Sequence, residues 1–302
     1  MVAVPIRSAG ASVSVASSDT FDIPGLDRSP SSIEELDHLV STLGCGTVQP
    51  IVVATMVALW RRLRAELAPV VVEVVTDIPR GVGLAGSSAI AVATVRALID
   101  QHPDRSWARR LESDPWLLAS IALDAEASVL GIAAGMQDRL VQTLGTNVFM
   151  DFARQPMVHH ERTDQRFRLL GPLPGTAFVA FRPASASHSG AVHALTDSST
   201  PAFARAMREL AVAAHDAATA IDAHDAAGLG AAMDATFDLR TSCMDLDPAH
   251  VAMVRTARRR GAAASYTGSG GAVTVLCSDD GTARDTAEAL RHDLGCEVLP
   301  LP

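Results

Sequence analysis

The sequence predicts an α+β protein of two domains, and three of its features carry that expectation. At 302 residues the chain exceeds one typical domain and falls short of three. It is 48% hydrophobic and 20% charged, the balance of a globular chain with a sizeable core. Short β-branched runs bounded by Pro and Gly alternate with longer Ala-rich stretches at helical spacing. In the second half, added helices aside, these segments fall in the order β-α-β-β-α-β.

Ala3 to Val15 alternates small and β-branched residues and reads as one strand. A polar loop follows over Ser17 to Ser32, and Ser31-Ser32-Ile33-Glu34-Glu35 has the cap and the first-turn acids of a helix start. Pro50 opens a helix predicted over Ile51 to Leu67, with Arg61, Arg62 and Arg64 at the end where cations suit the helix dipole. Val70 to Thr76, bounded by Pro69 and Pro79, predicts a strand. A glycine-rich turn over Gly81 to Gly86 feeds an Ala/Val helix from Ser87 to Asp100. Trp116 to Leu130 is apolar at helical spacing and ends at Gly131. A second helix is predicted over Met136 to Leu144 and a strand over Val148 to Phe152. The polar stretch 153–173 marks a domain crossing, dividing the chain into residues 1–160 and 161–302. Beyond it the pattern predicts strands at 176–181, 263–267, 273–277 and 297–299. Helices are predicted at 201–221, 226–240, 248–260 and 282–294. That order is the split β-α-β arrangement of ferredoxin-like domains.

Composition excludes several classes of function. The most apolar helical stretch, Ile51 to Trp60, is too short for a bilayer span of about 20 residues. Met1 to Ser12 lacks the apolar core of a signal peptide, so the expectation is a cytoplasmic protein with no membrane partner. Cys45, Cys243, Cys277 and Cys296 show no CxxC spacing, against both a zinc site and a disulfide framework. A net charge of -9 provides no field to draw nucleic acid. All 25 basic residues are arginine. Without lysine, Schiff-base chemistry and the lysine of a Walker A loop are excluded.

The most informative stretch is Asp77-Ile78-Pro79-Arg80-Gly81-Val82-Gly83-Leu84-Ala85-Gly86-Ser87-Ser88-Ala89. It reads as a strand end, a glycine-rich turn and a helix start with two hydroxyls. Glycines let backbone approach a ligand closely, and the first N–H groups of a helix are free to bind an anion such as phosphate. The glycines fit neither GxGxxG nor GK[ST], which leaves an ordinary strand-to-helix turn as the plain alternative.

This stretch resembles the second motif of the GHMP small-molecule kinases, in the spacing of their glucuronokinase, or sugar-kinase, branch. Three further segments are similar to that family in the same order. They are Gly131-Ile132-Ala133-Ala134-Gly135-Met136-Gln137-Asp138-Arg139, Phe237-Asp238-Leu239-Arg240 and Tyr266-Thr267-Gly268-Ser269-Gly270-Gly271-Ala272-Val273. The resemblance implies a GHMP kinase fold, with an N-terminal domain like ribosomal protein S5 domain 2 and a ferredoxin-like C-terminal domain. It implies that Gly81, Gly83, Leu84, Ala85, Gly86, Ser87, Ser88 and Ala89 bind ATP. Asp138 is implied to accept or orient the acceptor's hydroxyl proton. Gly268, Ser269, Gly270 and Gly271 are implied to pack beside the phosphate loop and shape the acceptor site. Ser88 and Glu126 are the implied magnesium ligands, with Ser87 as a phosphate donor and Asp124 the carboxylate of a neighbouring register.

The implied activity is transfer of the γ-phosphoryl group of ATP to a hydroxyl of a small molecule, a sugar or uronic acid. The alternatives are a non-sugar acceptor, or nucleotide or metabolite binding without turnover, and the implied assembly is a monomer or homodimer. The family's first motif maps onto Gly10 to Asp19, where Asp19 fits its terminal, substrate-binding acid while Gly10 or Ser12 replaces its basic residue. Arg7 and Arg139 are the candidate replacements for that cation. A bulky residue at Gly86 is expected to enter the phosphate space. His159 and His160, adjacent on an extended segment, point apart and are not expected to bind metal. His215 and His224 read as packing or surface residues, and Ser187-His188-Ser189-Gly190 as a polar loop near the cleft.

Overall fold

A computed structural model describes residues 1–40, 49–152, 167–183, 200–268 and 270–302. Cys45, His159, His160, the Ser187–Gly190 loop and Ser269 lie outside the described residues. The opening segment forms two strands instead of the one expected. These are β1 (Val2–Ala3) and β2 (Ala11–Ser17). They join different sheets, parted by a stretch holding Pro5, which has no N–H to donate, and the bend at Arg7 to Ala9. β2 pairs antiparallel with β3 (Val70–Thr76), with Ala11 opposite Thr76 and Ser17 opposite Val70.

The N-terminal core is helical. α1 (Ile33–Val40) opens on a reciprocal cap, Ser32 Oγ accepting from Glu35 N and the Glu35 carboxylate from Ser31 N. α2 (Gln49–Leu63) stops short of Leu67 because Arg64 turns left-handed, at φ 50°. Val52, Val53, Met56, Val57 and Leu59 of α2 have no exposed surface. Each such side chain contributes about 1.5–3 kcal/mol on burial. α3 (Gly86–Gln101) and α5 (Pro115–Asp124) pack on α2. Between them lies α4 (Ser106–Ser113), absent from the sequence reading, which buries Trp107, Ala108 and Leu111 beneath an arginine-rich face. The expected Trp116–Leu130 helix is not continuous: it widens after Asp124 into a π-turn over Ala125–Val129, with Leu130 N bonding Ala125 O. α6 (Met136–Leu144) follows as expected. β4 (Val148–Met150) lies between β1 and β5 (Phe167–Leu169). β5 was hidden in the polar stretch read as a crossing.

The C-terminal half runs β6 (Thr176–Phe181), α7 (Pro201–Asp222), α8 (Ala226–Cys243), α9 (Pro248–Arg259), β7 (Ala263–Tyr266), β8 (Ala272–Cys277), α10 (Asp280–Leu294) and β9 (Glu297–Pro300). Its antiparallel sheet has the order β7-β8-β6-β9, with β6 and β8 central, which is the expected ferredoxin-like topology. Thr200, Asp225, Asp247 and Asp279 cap the N-termini of its four described helices, and Asp114 caps α5. α3 and α6 have no side-chain cap. Among the described residues no helix is long and apolar enough to cross a membrane. Cys243, Cys277 and Cys296 are free thiols.

Candidate active site

The uncapped helix α3 follows a turn whose start is pinned to β2. Gly10 N donates to Asp77 Oδ1 at 2.7 Å, and Thr76 Oγ1 donates to Gly10 O at 3.0 Å. Gly81 (φ 71°) and Gly83 (φ 74°) take the left-handed conformation that the reversal requires. Ala85 takes it too, at φ 57° and ψ 37°, where a Cβ costs about 1–2 kcal/mol. Three donors hold its carbonyl: Ser88 Oγ at 2.9 Å, Ala89 N at 3.1 Å and Gln142 Nε2 at 3.0 Å. The first-turn N–H groups of α3 are left without a side-chain acceptor, the arrangement that receives a phosphate.

The turn between β7 and β8 touches this loop backbone to backbone. A Cβ on Gly83 would sit 2.0 Å from Gly270 O, and one on Gly271 would sit 2.6 Å from the Val82 carbonyl carbon. Only glycine fits at either position. Arg240 holds the turn from behind, NH1 donating to Gly268 O at 2.7 Å while the guanidinium lies 5.2 Å from the centre of the Tyr266 ring.

Four side chains converge beside the helix start. Ser87 Oγ donates to Glu126 Oε1 at 2.6 Å. Glu126 is buried in the π-turn, a distortion that often marks functional positions. Its other oxygen pairs with buried Arg139, which also donates to Gly135 O at 2.8 Å and reaches Asp138 Oδ2 at 3.4 Å. Burial lowers the Arg139 pKa to about 10, still protonated at neutral pH, and pushes the Asp138 carboxyl up from its ordinary value. Asp138, in the first turn of α6, keeps 44% of its side-chain surface exposed, so a substrate can reach it. Asp124 faces the other way, paired with Arg62 at 2.9 Å. Among the described residues no three His, Cys, Asp or Glu side chains converge on a point, so a metal here would depend on ligand oxygens.

The structure therefore brings together the loop, the glycine turn, Ser87, Glu126 and Asp138, and corrects several expectations. Ser88 is fully buried and bonded back to Ala85 O, so the hydroxyl facing Glu126 belongs to Ser87. Asp19 lies just past the end of β2 at which Ser18 N bonds Pro69 O. The loop joins the opposite end of the β2–β3 pair, about 20 Å away along the strands at ~3.4 Å per residue. The antiparallel register thus separates Asp19 from the site. Arg7 donates to Gly145 O at the C-terminal end of α6, about 10 Å along the helix from Asp138. Arg139 is committed to Glu126. A Cβ at Gly86 would face Ile78 Cγ2 at 3.4 Å, so a larger residue there meets the chain and not the phosphate space. Sequence reasoning missed Gln142, whose one signal was its position four residues past Asp138, on the same helix face.

An uncapped helix start beneath a glycine loop, met by a second glycine turn and flanked by the carboxylates of Glu126 and Asp138, is a site suited to a phosphate-bearing ligand. The sequence matches the family models described as "GHMP kinases N terminal domain" over residues 51–146 and "GHMP kinases C terminal" over residues 217–295. The chain belongs to the GHMP kinase family. It is 36% identical over 214 residues to Glucuronokinase 1 of Arabidopsis thaliana, and 38% identical over 215 residues to Probable glucuronokinase 2 of the same plant. Each match covers 68% of this chain and 56% of the relative, so the chain spans little more than half the length of either. The crystal structure of phosphomevalonate kinase from Streptococcus pneumoniae shares the fold at TM-score 0.71 and 15% identity, covering 96% of this chain and 89% of that one.

Proposed function

We propose that the protein is an ATP-dependent kinase that phosphorylates a hydroxyl of a small sugar or uronic acid, with glucuronate the first acceptor to try. The observation that carries this reading is Asp138, part-exposed one helix turn from the loop tether and linked through Arg139 and Glu126 to Ser87 at the start of α3. The similarity to glucuronokinases supports the acceptor class. The S. pneumoniae neighbour, described with AMPPNP bound, supports ATP as the donor.

In this reading the free N–H groups of α3 receive the phosphates, and the left-handed turn at Ala85 aims them. Asp138 accepts or orients the proton of the attacking hydroxyl, in keeping with a reaction that asks the protein for positioning and charge stabilisation. Ser87 Oγ and the Glu126 carboxylate are hard oxygen donors 2.6 Å apart, a set that suits magnesium beside phosphate oxygens, and they would hold it there. Magnesium, when bound, supplies neutralisation of the phosphate charge. Arg139 holds the Glu126 carboxylate aimed at Ser87. With the domains divided near residue 160, the loop and the acids come from the first and the glycine turn from the second.

The test is ATP consumption with a panel of uronic acids, hexoses and hydroxy acids, with the phosphorylated product identified. Turnover on a uronic acid or sugar is expected. Turnover confined to hydroxy acids would overturn the acceptor class, and nucleotide binding without transfer to any acceptor would overturn the kinase reading.

A further inference from the structure

We propose that Gln142 is a positioning residue that holds the phosphate loop in its binding conformation by locking the left-handed turn at Ala85. The inference rests on the kinase reading above and deepens it. Ala85 is one of three described non-glycine residues with positive φ, and the only one of them in the site. A residue with a Cβ resists that conformation. Ser88 Oγ and Ala89 N, which also bond its carbonyl, come from α3 itself and move with it. Gln142 Nε2 reaches the same carbonyl from α6, across 57 residues of sequence. Its Oε1 has no hydrogen-bond partner among the described residues, so this is the one described hydrogen bond of the amide group. A carbonyl only accepts, which fixes the amide with its NH2 toward the loop.

The placement couples two parts of the chemistry. Gln142 sits four residues after Asp138, so both project from one face of α6 about one turn apart. The helix that presents the acid to the acceptor thereby also registers the loop that takes the donor. A second tie runs in parallel, from Arg139 through Glu126 to Ser87. If the tether breaks, the loop spends part of its time out of the left-handed turn, and apparent affinity for ATP falls with the fraction left competent.

The experiment is a double-mutant cycle on the full chain, Gln142→Leu with Ala85→Gly, reading KM for ATP, KM for the acceptor and kcat, with AMPPNP affinity by calorimetry. Gln142→Leu is expected to raise KM for ATP by about 3- to 10-fold, the size of one net hydrogen bond, with acceptor KM and kcat at saturating ATP within about twofold. Glycine adopts the left-handed conformation freely, so in the Ala85→Gly background the same substitution is expected to shift KM for ATP by less than about twofold. A merely structural role would instead lower thermal stability and leave the ATP-specific shift and its suppression unseen. If wild type binds AMPPNP and Gln142→Leu binds it equally well, the tether is overturned and the kinase reading stands. An equal shift in both backgrounds overturns the lock at Ala85. If wild type binds no adenine nucleotide, both fail together.

Discussion

The Ser87 hydroxyl donates a 2.6 Å hydrogen bond to Glu126, across 39 residues of sequence, and its neighbour Ser88 does not reach that carboxylate at all. Successive residues on a helix point about 100° apart, so one of the two hydroxyls faces the π-turn while the other folds back into the protein. The pair therefore divides into Ser87, which faces the proposed magnesium site, and Ser88, which is bonded back into the chain. Ser87→Ala is expected to raise the magnesium concentration needed for half-maximal turnover about tenfold, and Ser88→Ala to cost about 1 kcal/mol of stability through its lost buried hydrogen bond. Magnesium titration and denaturant unfolding of the two variants check the assignment. The reverse pattern would restore Ser88 as the ligand.

Asp138→Asn is expected to keep nucleotide binding and to slow transfer by about 10²- to 10⁴-fold, the usual contribution of a positioned acid or base. Turnover and AMPPNP affinity measured on the same preparation check it. Unchanged turnover removes Asp138 from the mechanism.

The raised pKa of Asp138 sets a pH dependence with a definite sign. In the proposed mechanism Asp138 acts as the ionised carboxylate, so the acid limb of kcat should lie at higher pH than an ordinary aspartate would give. The folded chain binds this proton more tightly than the unfolded chain. Stability from this group is therefore present at low pH and falls as pH rises from the unfolded pKa through the folded one. Asp138→Asn should remove that fall, which thermal unfolding between acid and neutral pH would measure.

Glu126 and Arg139 form a buried ion pair, and removing Glu126 leaves Arg139 only its longer contact with part-exposed Asp138, at 3.4 Å. Glu126→Ala is expected to destabilise the protein by about 3–5 kcal/mol, more than loss of an exposed pair would. Denaturant unfolding checks this, and a change below 1 kcal/mol would mean that water reaches Arg139 when its partner is gone.

The two glycine turns make a steric prediction. Gly83→Ala and Gly271→Ala each place a methyl group against facing backbone at a positive φ, and each is expected to cost about 2 kcal/mol or more and to weaken nucleotide binding. Gly86→Ala meets only the Ile78 side chain, at an ordinary contact distance of 3.4 Å, and should cost less. Unfolding curves for the three variants rank them, and equal stability would mean that the turns separate easily.

The sequence by itself determined what depends on neighbours in the chain. The run from Val70 to Ala89 shows its strand, turn and helix because β-branching, glycine placement and alanine periodicity are local preferences. α6 with Asp138 in its first turn was legible for the same reason, as was the β-α-β-β-α-β order of the second half. Tertiary structure decided what depends on how elements face one another. The antiparallel register of β2 and β3 sent Asp19 to the end far from the loop, and a strand's own residues do not reveal which end its partner's loop will occupy. The π-turn rotated Glu126 toward Ser87 and left Asp124 to Arg62, a twist that a helical repeat read at 3.6 residues per turn does not contain. Gln142 became a tether only because α6 packs across the start of α3, where the strained carbonyl of Ala85 had a donor to gain. Side-chain chemistry was written along the chain, whereas its pairing required three dimensions.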